Sequence, residues 1–382
     1  MRARLLSLVL LVAGCAASPP PGSTPAPGGA SRAPYDSPPV APGTITITLD
    51  LRAAREILAL LSRPRFDAEA AKSLESLPAV EAAVRESNRP AAVFQADLAA
   101  AFDDQARIAI FDFRAIRENA PRWTDLLAMI AAREAELTTL AADRARALLP
   151  PEPPVSVTEP IYLTFGLPGR ADHVVVPAAE GSEWFVVVDL ARALSDAQSS
   201  PPSEQIKHLS RLMASEAYQR AWAEYRSASP AWQKRDPALG QLEPLLRRTA
   251  EAGPVALFSV DENFFPLSLW LKEPMRSSLD ELNRVADRLV SAEGDLDARV
   301  SLAAETARPE FMARVAGPAG AFLADGIIQT LGLDAYRTAL AGGPRAFFEA
   351  YDRAAQQRGR ALIPLGKAIR ERLAASAAPP KG

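Results

Sequence analysis

The sequence predicts an α+β protein, mostly helical, with a small central sheet packed among its helices. Three observations predict it. Thr44-Ile45-Thr46-Ile47-Thr48-Leu49-Asp50 alternates strictly between polar and apolar side chains, as a half-buried strand does. Further strand-like runs cluster in the middle of the chain, at Val155–Thr158, Ile161–Phe165, His173–Val176 and Trp184–Asp189. On either side of them, apolar residues recur at helical spacing, and 48% of the 382 residues are hydrophobic, enough for a sizeable core.

Taken in order, helical spacing begins at Ala53 and runs to Leu61, where Arg63-Pro64 ends it. Helices are expected over 67–76, 79–87 and 91–118, within limits set by Pro90 and Pro121. A single long helix is expected from Trp123 to Leu149, with Leu126, Leu127, Met129, Ile130, Leu137, Leu140 and Leu148 on its apolar face. Pro150-Pro151-Glu152-Pro153-Pro154 stops it and suggests a boundary. On that basis a mainly helical subdomain spans 44–150 and an α+β domain spans 151–382. The apolar triplets Val174–Val176 and Val186–Val188 imply strands buried on both faces. Gly166 and Gly169 close the strand before them. Beyond Ala191 helices are expected over 203–227, 238–251, 277–292, 319–331, 344–357 and 361–374. No repeat of fixed period is visible, which argues against a solenoid.

The N-terminus points to a compartment. Arg2 and Arg4 precede an apolar run from Leu5 to Ala13, too short to span a bilayer but long enough for a signal-peptide core. It leads through Val12-Ala13-Gly14 into Cys15, the sole cysteine of the chain. That box resembles the bacterial lipoprotein signal, which implies cleavage after residue 14, lipidation of Cys15 and attachment to a membrane. Residues 15–43 then form a Pro-, Gly- and Ser-rich tether with little to bury. Ala16 is not the aspartate associated with inner-membrane retention, so the expected location is the cell envelope, on the periplasmic face of the outer membrane if the host is Gram-negative. A net charge of -3 excludes the basic stripe of a nucleic-acid binder, and a lone cysteine excludes an internal disulfide.

The helix from Ser203 to Arg226 carries the motif that bears on function. It contains Ser215-Glu216-Ala217-Tyr218-Gln219. Two histidines four apart on one helix face can share a zinc ion, with a glutamate beside the first to activate water. The slot here has the glutamate and neither histidine. Downstream come Glu251-Ala252-Gly253-Pro254, then Gly317-Pro-Ala-Gly320, then Pro344-Arg-Ala-Phe347-Phe-Glu-Ala-Tyr351. That order resembles a bacterial family of zinc-dependent peptidases of the gluzincin, thermolysin-like type, over roughly residues 44–374. The resemblance implies a peptidase-like architecture in which Ser215 and Gln219 stand at the ligand positions and Glu216 at the general base. Glu251 stands at the third ligand, unless Ala252 is its equivalent. Neutral Ser and Gln are poor zinc ligands, and without zinc no water is activated. The resemblance therefore implies a body without peptidase chemistry and without metal or cofactor.

Competing constellations are weaker. A relocated site could use His208 with Glu204 or Glu216. Asp172-His173 is a poor metal arrangement if both lie on a strand, because strand neighbours face opposite ways. No G-x-S-x-G elbow or phosphate loop is present. Trp222, Tyr225, Trp232 and Trp270 suit core or groove lining; Glu251, Asp261 and Glu262 could line a cleft, but carboxylates at helix ends and turns are usually capping or exposed. The expected function is that of a membrane-anchored, non-catalytic lipoprotein acting in binding or scaffolding. A retained cleft would grip a peptide, an envelope protein or a polymer along a sheet edge. The alternatives are a zinc peptidase or other hydrolase with a non-standard metal site, and a helical envelope lipoprotein unrelated to peptidases.

Overall fold

The computed structural model describes residues 43–103, 109–169, 172–177, 184–195, 200–260, 269–359 and 362–375. Cys15, the signal segment and nearly all of the tether lie outside the described residues, as do Asp261 and Glu262. The chain enters through β1 (Ile45–Asp50), then α1 (Arg52–Leu61), α2 (Ala68–Ser73), α3 (Pro78–Glu86), α4 (Ala91–Ala100), α5 (Phe113–Glu118), α6 (Ala120–Ala132) and α7 (Glu134–Leu148). The sheet continues with β2 (Val157–Thr164), β3 (His173–Pro177) and β4 (Trp184–Asp189), followed by α8 (Leu190–Ala193). The second helical part comprises α9 (Pro202–Ala228), α10 (Pro230–Gln233), α11 (Glu243–Val260), α12 (Leu269–Ser291), α13 (Leu296–Thr306) and α14 (Pro309–Phe311). It closes with α15 (Gly317–Leu331), α16 (Leu333–Ala341), α17 (Gly343–Arg358) and α18 (Lys367–Ala375). Helices make up 72% of the structure, so the α+β, mostly helical class holds.

The sheet is mixed, in the order β1-β2-β4-β3. β1 and β4 run parallel to β2, while β3 is an antiparallel edge strand on β4. Because β1 pairs with β2, the Pro150–Pro154 break separates stretches of chain that share one sheet. β1 alternates between buried and half-buried residues as its sequence demands. The runs 155–158 and 161–165, expected as separate strands, form one strand that continues through Glu159 and Pro160. At the end of β4, the buried Asp189 carboxylate accepts backbone N–H groups from Gly166 at 2.9 Å and Leu167 at 2.7 Å. It also caps α8 through Ala191 at 3.0 Å. Burial pushes the Asp189 carboxyl up, against those bonds and Arg192.

Several expectations need correction. β4 is buried on both faces at Val186–Val188, but β3 is not: Val175 is 42% exposed at the free edge. The helix expected over 91–118 is interrupted; α4 ends at Ala100 and α5 begins at Phe113. There Phe94, Phe111 and Phe113 pack on one another, and the buried Asp97 holds the Ile110 and Phe111 N–H groups. The helix expected from Trp123 to Leu149 is two helices bent at Arg133, whose backbone (φ -115°, ψ 16°) leaves the helical region. The bend lets α6 pack on α1 while α7 packs on α9 and β1, and it leaves Leu140 38% exposed. The helix expected to end at Glu251 runs on to Val260 through Pro254. α13 and α16 were not expected as helices, although Asp295 caps α13 and Gly332 and Gly342 bracket α16.

The second helical part is built on close contact between α11 and α15. Neither Gly253 nor Gly320 has room for a methyl group. A Cβ on Gly253 would lie 2.5 Å from the Gly320 carbonyl carbon, and one on Gly320 would lie 2.2 Å from the Thr249 carbonyl oxygen. Phe347, Phe348 and Tyr351 of α17 are buried, and Tyr351 crosses Gly326 of α15. Trp222, Tyr225 and Trp232 belong to the core, with Trp232 Nε1 donating to the Leu340 carbonyl at 2.7 Å. Among the described residues one helical stretch, Pro309–Leu331, is long and apolar enough to cross a membrane, and 72% of its apolar window is buried inside the protein.

Candidate functional site

α9 presents two faces of different character. Glu216 lies on the face toward the sheet and is buried, with 3% side-chain exposure. Its Oε1 accepts from Gln219 Nε2 at 3.0 Å, one helical turn on, and lies 3.4 Å from His173 Nε2 at the head of β3. Ser215 is 9% exposed, and Gln219 is half-buried with its amide committed to Glu216. Further along, Arg226 Nη1 meets Glu251 Oε1 of α11 at 3.1 Å. Burial pushes the Glu251 carboxyl up, with Arg226 opposing. The structure thus brings Glu216 and Gln219 together and gives Glu251 a different partner, an arginine.

His208 does not join this site. Its Nδ1 lies 3.3 Å from Arg211 Nη2, and Glu204 pairs with Lys207 at 2.8 Å. The histidine that meets Glu216 is His173. Asp172 precedes β3 rather than lying in it, so the opposite-face rule for strand neighbours does not apply. Asp172 Oδ1 reaches His173 Nδ1 at 2.6 Å. The imidazole stands between two carboxylates. Burial pulls its pKa down, but Glu216 and Asp172 outweigh burial and raise it above the ordinary histidine range. Burial raises Asp172 as well, yet its bond to His173 leaves it below the usual carboxylate range. Glu216 is raised by burial, with His173 opposing.

A third carboxylate lies deeper. Glu159 sits on the central strand β2 with the same parity as Val157, Ile161 and Leu163, so it faces the core and is 0% exposed. Among the described residues neither of its oxygens has a hydrogen-bond partner, and Oε2 lies 3.8 Å from Arg220 Nε. Burial raises its pKa well above the usual carboxylate range, against the pull of Arg220. Arg220 also donates to the Trp184 carbonyl at 3.0 Å and stands 5.1 Å over the Trp184 ring. Glu159 and Arg220 are thus site residues outside every motif in the sequence, and Asp172 and His173 join the site despite the strand-alternation argument against them. The available signal for Glu159 was a charged residue at the inward parity of an alternating strand.

The arrangement does not fit the zinc that the gluzincin resemblance implies. Ser215 offers a neutral hydroxyl, Gln219 spends its amide on Glu216, and Glu251 is bound to Arg226. Among the described residues no three His, Cys, Asp or Glu side chains converge as a metal site would need. What the cluster can do is hold β3 against α9 by charge. The underside of β3 remains open, because His173, Val175 and Pro177 share the face toward α9 and Val175 is well exposed. No family model, no curated protein and no solved structure matches this chain.

Proposed function

We propose that the chain is a lipid-anchored protein of the bacterial cell envelope whose gluzincin-like body binds an extended peptide or polymer segment without cleaving it. The order of elements supports the likeness: a helix bearing Glu216 beneath a sheet, a following helix bearing Glu251 beside it, and the glycine-led α15 on that helix. The observation that carries the non-catalytic part is the engagement of Glu216. A general base must reach a water in a cleft, whereas Glu216 is buried between Gln219 and His173. The binding surface is the free edge of β3. Strand edges offer unpaired backbone groups to an incoming strand, and Val175 adds an exposed apolar side chain there.

Casein, an unfolded protein substrate, tests both parts. In the presence of zinc the mature chain is expected to retain casein without cutting it. Val175→Asp, a change at an exposed position, should weaken retention by about tenfold while altering stability by about 0.5 kcal/mol or less. Zinc-dependent cleavage that disappears in Glu216→Gln would overturn the reading in favour of a peptidase with a non-standard site.

A further inference from the structure

His173 is the first residue of the edge strand, and it joins that strand to α9. A protonated imidazole carries positive charge on both ring nitrogens: Nδ1 bonds Asp172 at 2.6 Å, and Nε2 makes an ion contact of 3.4 Å with Glu216 Oε1. A neutral imidazole has one donor, so it can serve only one of them. The surroundings make the choice one-sided. Asp172 is adjacent in the chain and keeps its bond, while the link to Glu216 crosses from β3 to another element.

Among the described residues the other charged groups do not take the place of His173. From α9, Arg220 is directed to Glu159 and the Trp184 carbonyl, and Gln219 is neutral. From β2, Glu159 supplies no positive charge, and burial raises its carboxyl well above the usual range. From β4, the Asp189 carboxylate is taken by Gly166, Leu167 and Arg192, while its backbone N–H bonds the Asp172 carbonyl at 2.8 Å. Loss of the His173 proton therefore removes the cation that opposes the effect of burial on Glu216, and leaves Glu216 near the Asp172 carboxyl alone.

We propose that His173 is a pH-operated latch that fastens the head of β3 to α9 when protonated and loosens that end of the edge strand when it loses its proton, the pairing of β3 with β4 being what holds the rest. Only the consequence, access of an extended segment to the loosened edge, rests on the binding function proposed above; the latch itself is a property of the fold. The sign follows from the two carboxylates. They raise His173 in the folded protein above its unfolded value of about 6.5. The stabilisation is thus complete below that value and is lost as pH rises through the folded one. Loosening belongs to the alkaline side.

The test is hydrogen exchange of the mature chain in detergent micelles, with opening of β3 (173–177) referred to β1 (45–50) after correction for intrinsic exchange. The β3-to-β1 opening ratio is expected to rise by up to about tenfold per pH unit across the His173 titration and then level off. In His173→Gln the ratio should not change with pH. A flat ratio in the unmodified protein, or an unchanged slope in the variant, overturns the latch. If the variant does not fold, imidazole NMR of the unmodified chain decides, since it has only two histidines. A His173 signal titrating below the ordinary histidine range overturns the proposal. No ligand enters either measurement, so a working latch with no casein retention would reject the binding function alone.

Discussion

Two seams in this molecule join elements that bear the motifs, and they are built on opposite principles. Where α11 meets α15, backbone lies on backbone at Gly253 and Gly320, and the contact is decided by volume. Where β3 meets α9, the contact is decided by charge: one histidine among carboxylates, with Glu159 oxygens and His173 Nε2 lacking hydrogen-bond partners among the described residues. The first seam has no slack for an added atom, and its close approach is made by backbone. The second tolerates changes of size better than changes of protonation. A resemblance resting on both kinds of motif therefore means different things at each: at the glycines it speaks of packing, and at Ser215-Glu216-x-x-Gln219 it speaks of chemistry.

The largest effect is expected at the first seam. Gly320→Ala would place a Cβ 2.2 Å from the Thr249 carbonyl oxygen and 2.8 Å from Gly253 Cα, and backbone atoms cannot swing aside as a side chain can. Overpacking of this kind costs about 1–3 kcal/mol where neighbours can yield, so a loss of about 3 kcal/mol or more is expected in urea denaturation. Gly294→Ala meets nothing within 4 Å and serves as the matched control, with a change of about 0.5 kcal/mol or less. A Gly320→Ala loss below about 1 kcal/mol would erase the contrast between the seams.

At the second seam the next effect concerns zinc. Ser215→His with Gln219→His places two imidazoles one turn apart on α9 and frees Glu216 from its Gln219 bond. Zinc affinity, measured by metal mass spectrometry after dialysis, should rise at least about tenfold over the unmodified chain. Stability at the α11–α15 seam should be unaffected. No gain in affinity would count against the gluzincin likeness of α9.

Much of the fold was legible because periodicity reports burial locally. β1 alternates as it reads, and Glu204 to Arg226 lie within one continuous helix. Breaks inside helical patterns were not legible. The bend at Arg133 serves two different packing partners, and the interruption after Ala100 is organised by Asp97 and a phenylalanine cluster. Both causes are tertiary. The site was half legible for a similar reason. The α9 motif pointed to Glu216 and Gln219, which do meet, but Glu251 was assigned by its place before Gly253, and its partner Arg226 lies 25 residues upstream. His173 was set aside by applying strand alternation to Asp172, a residue outside the strand. Glu159 lies between the runs 155–158 and 161–165, which read as two strands but form one.

The smallest effect tests the charge balance of the second seam. Burial raises the Glu159 carboxyl well above the usual range in the folded protein, whereas the unfolded chain releases its proton at about pH 4.3. The folded state therefore binds one proton more over the range between those values, and stability falls as pH rises through it. Glu159→Gln has nearly the same shape and cannot titrate. It should match the unmodified protein near pH 4 and become more stable than it by pH 7, by on the order of 1 kcal/mol. Urea midpoints at several pH values check the convergence and the sign together. A variant less stable than the unmodified protein at pH 7 would mean that Glu159 is ionised and paired with Arg220 across their 3.8 Å. In that case Glu216 would face two charged carboxylates rather than one, and the demand on the His173 proton would be greater still.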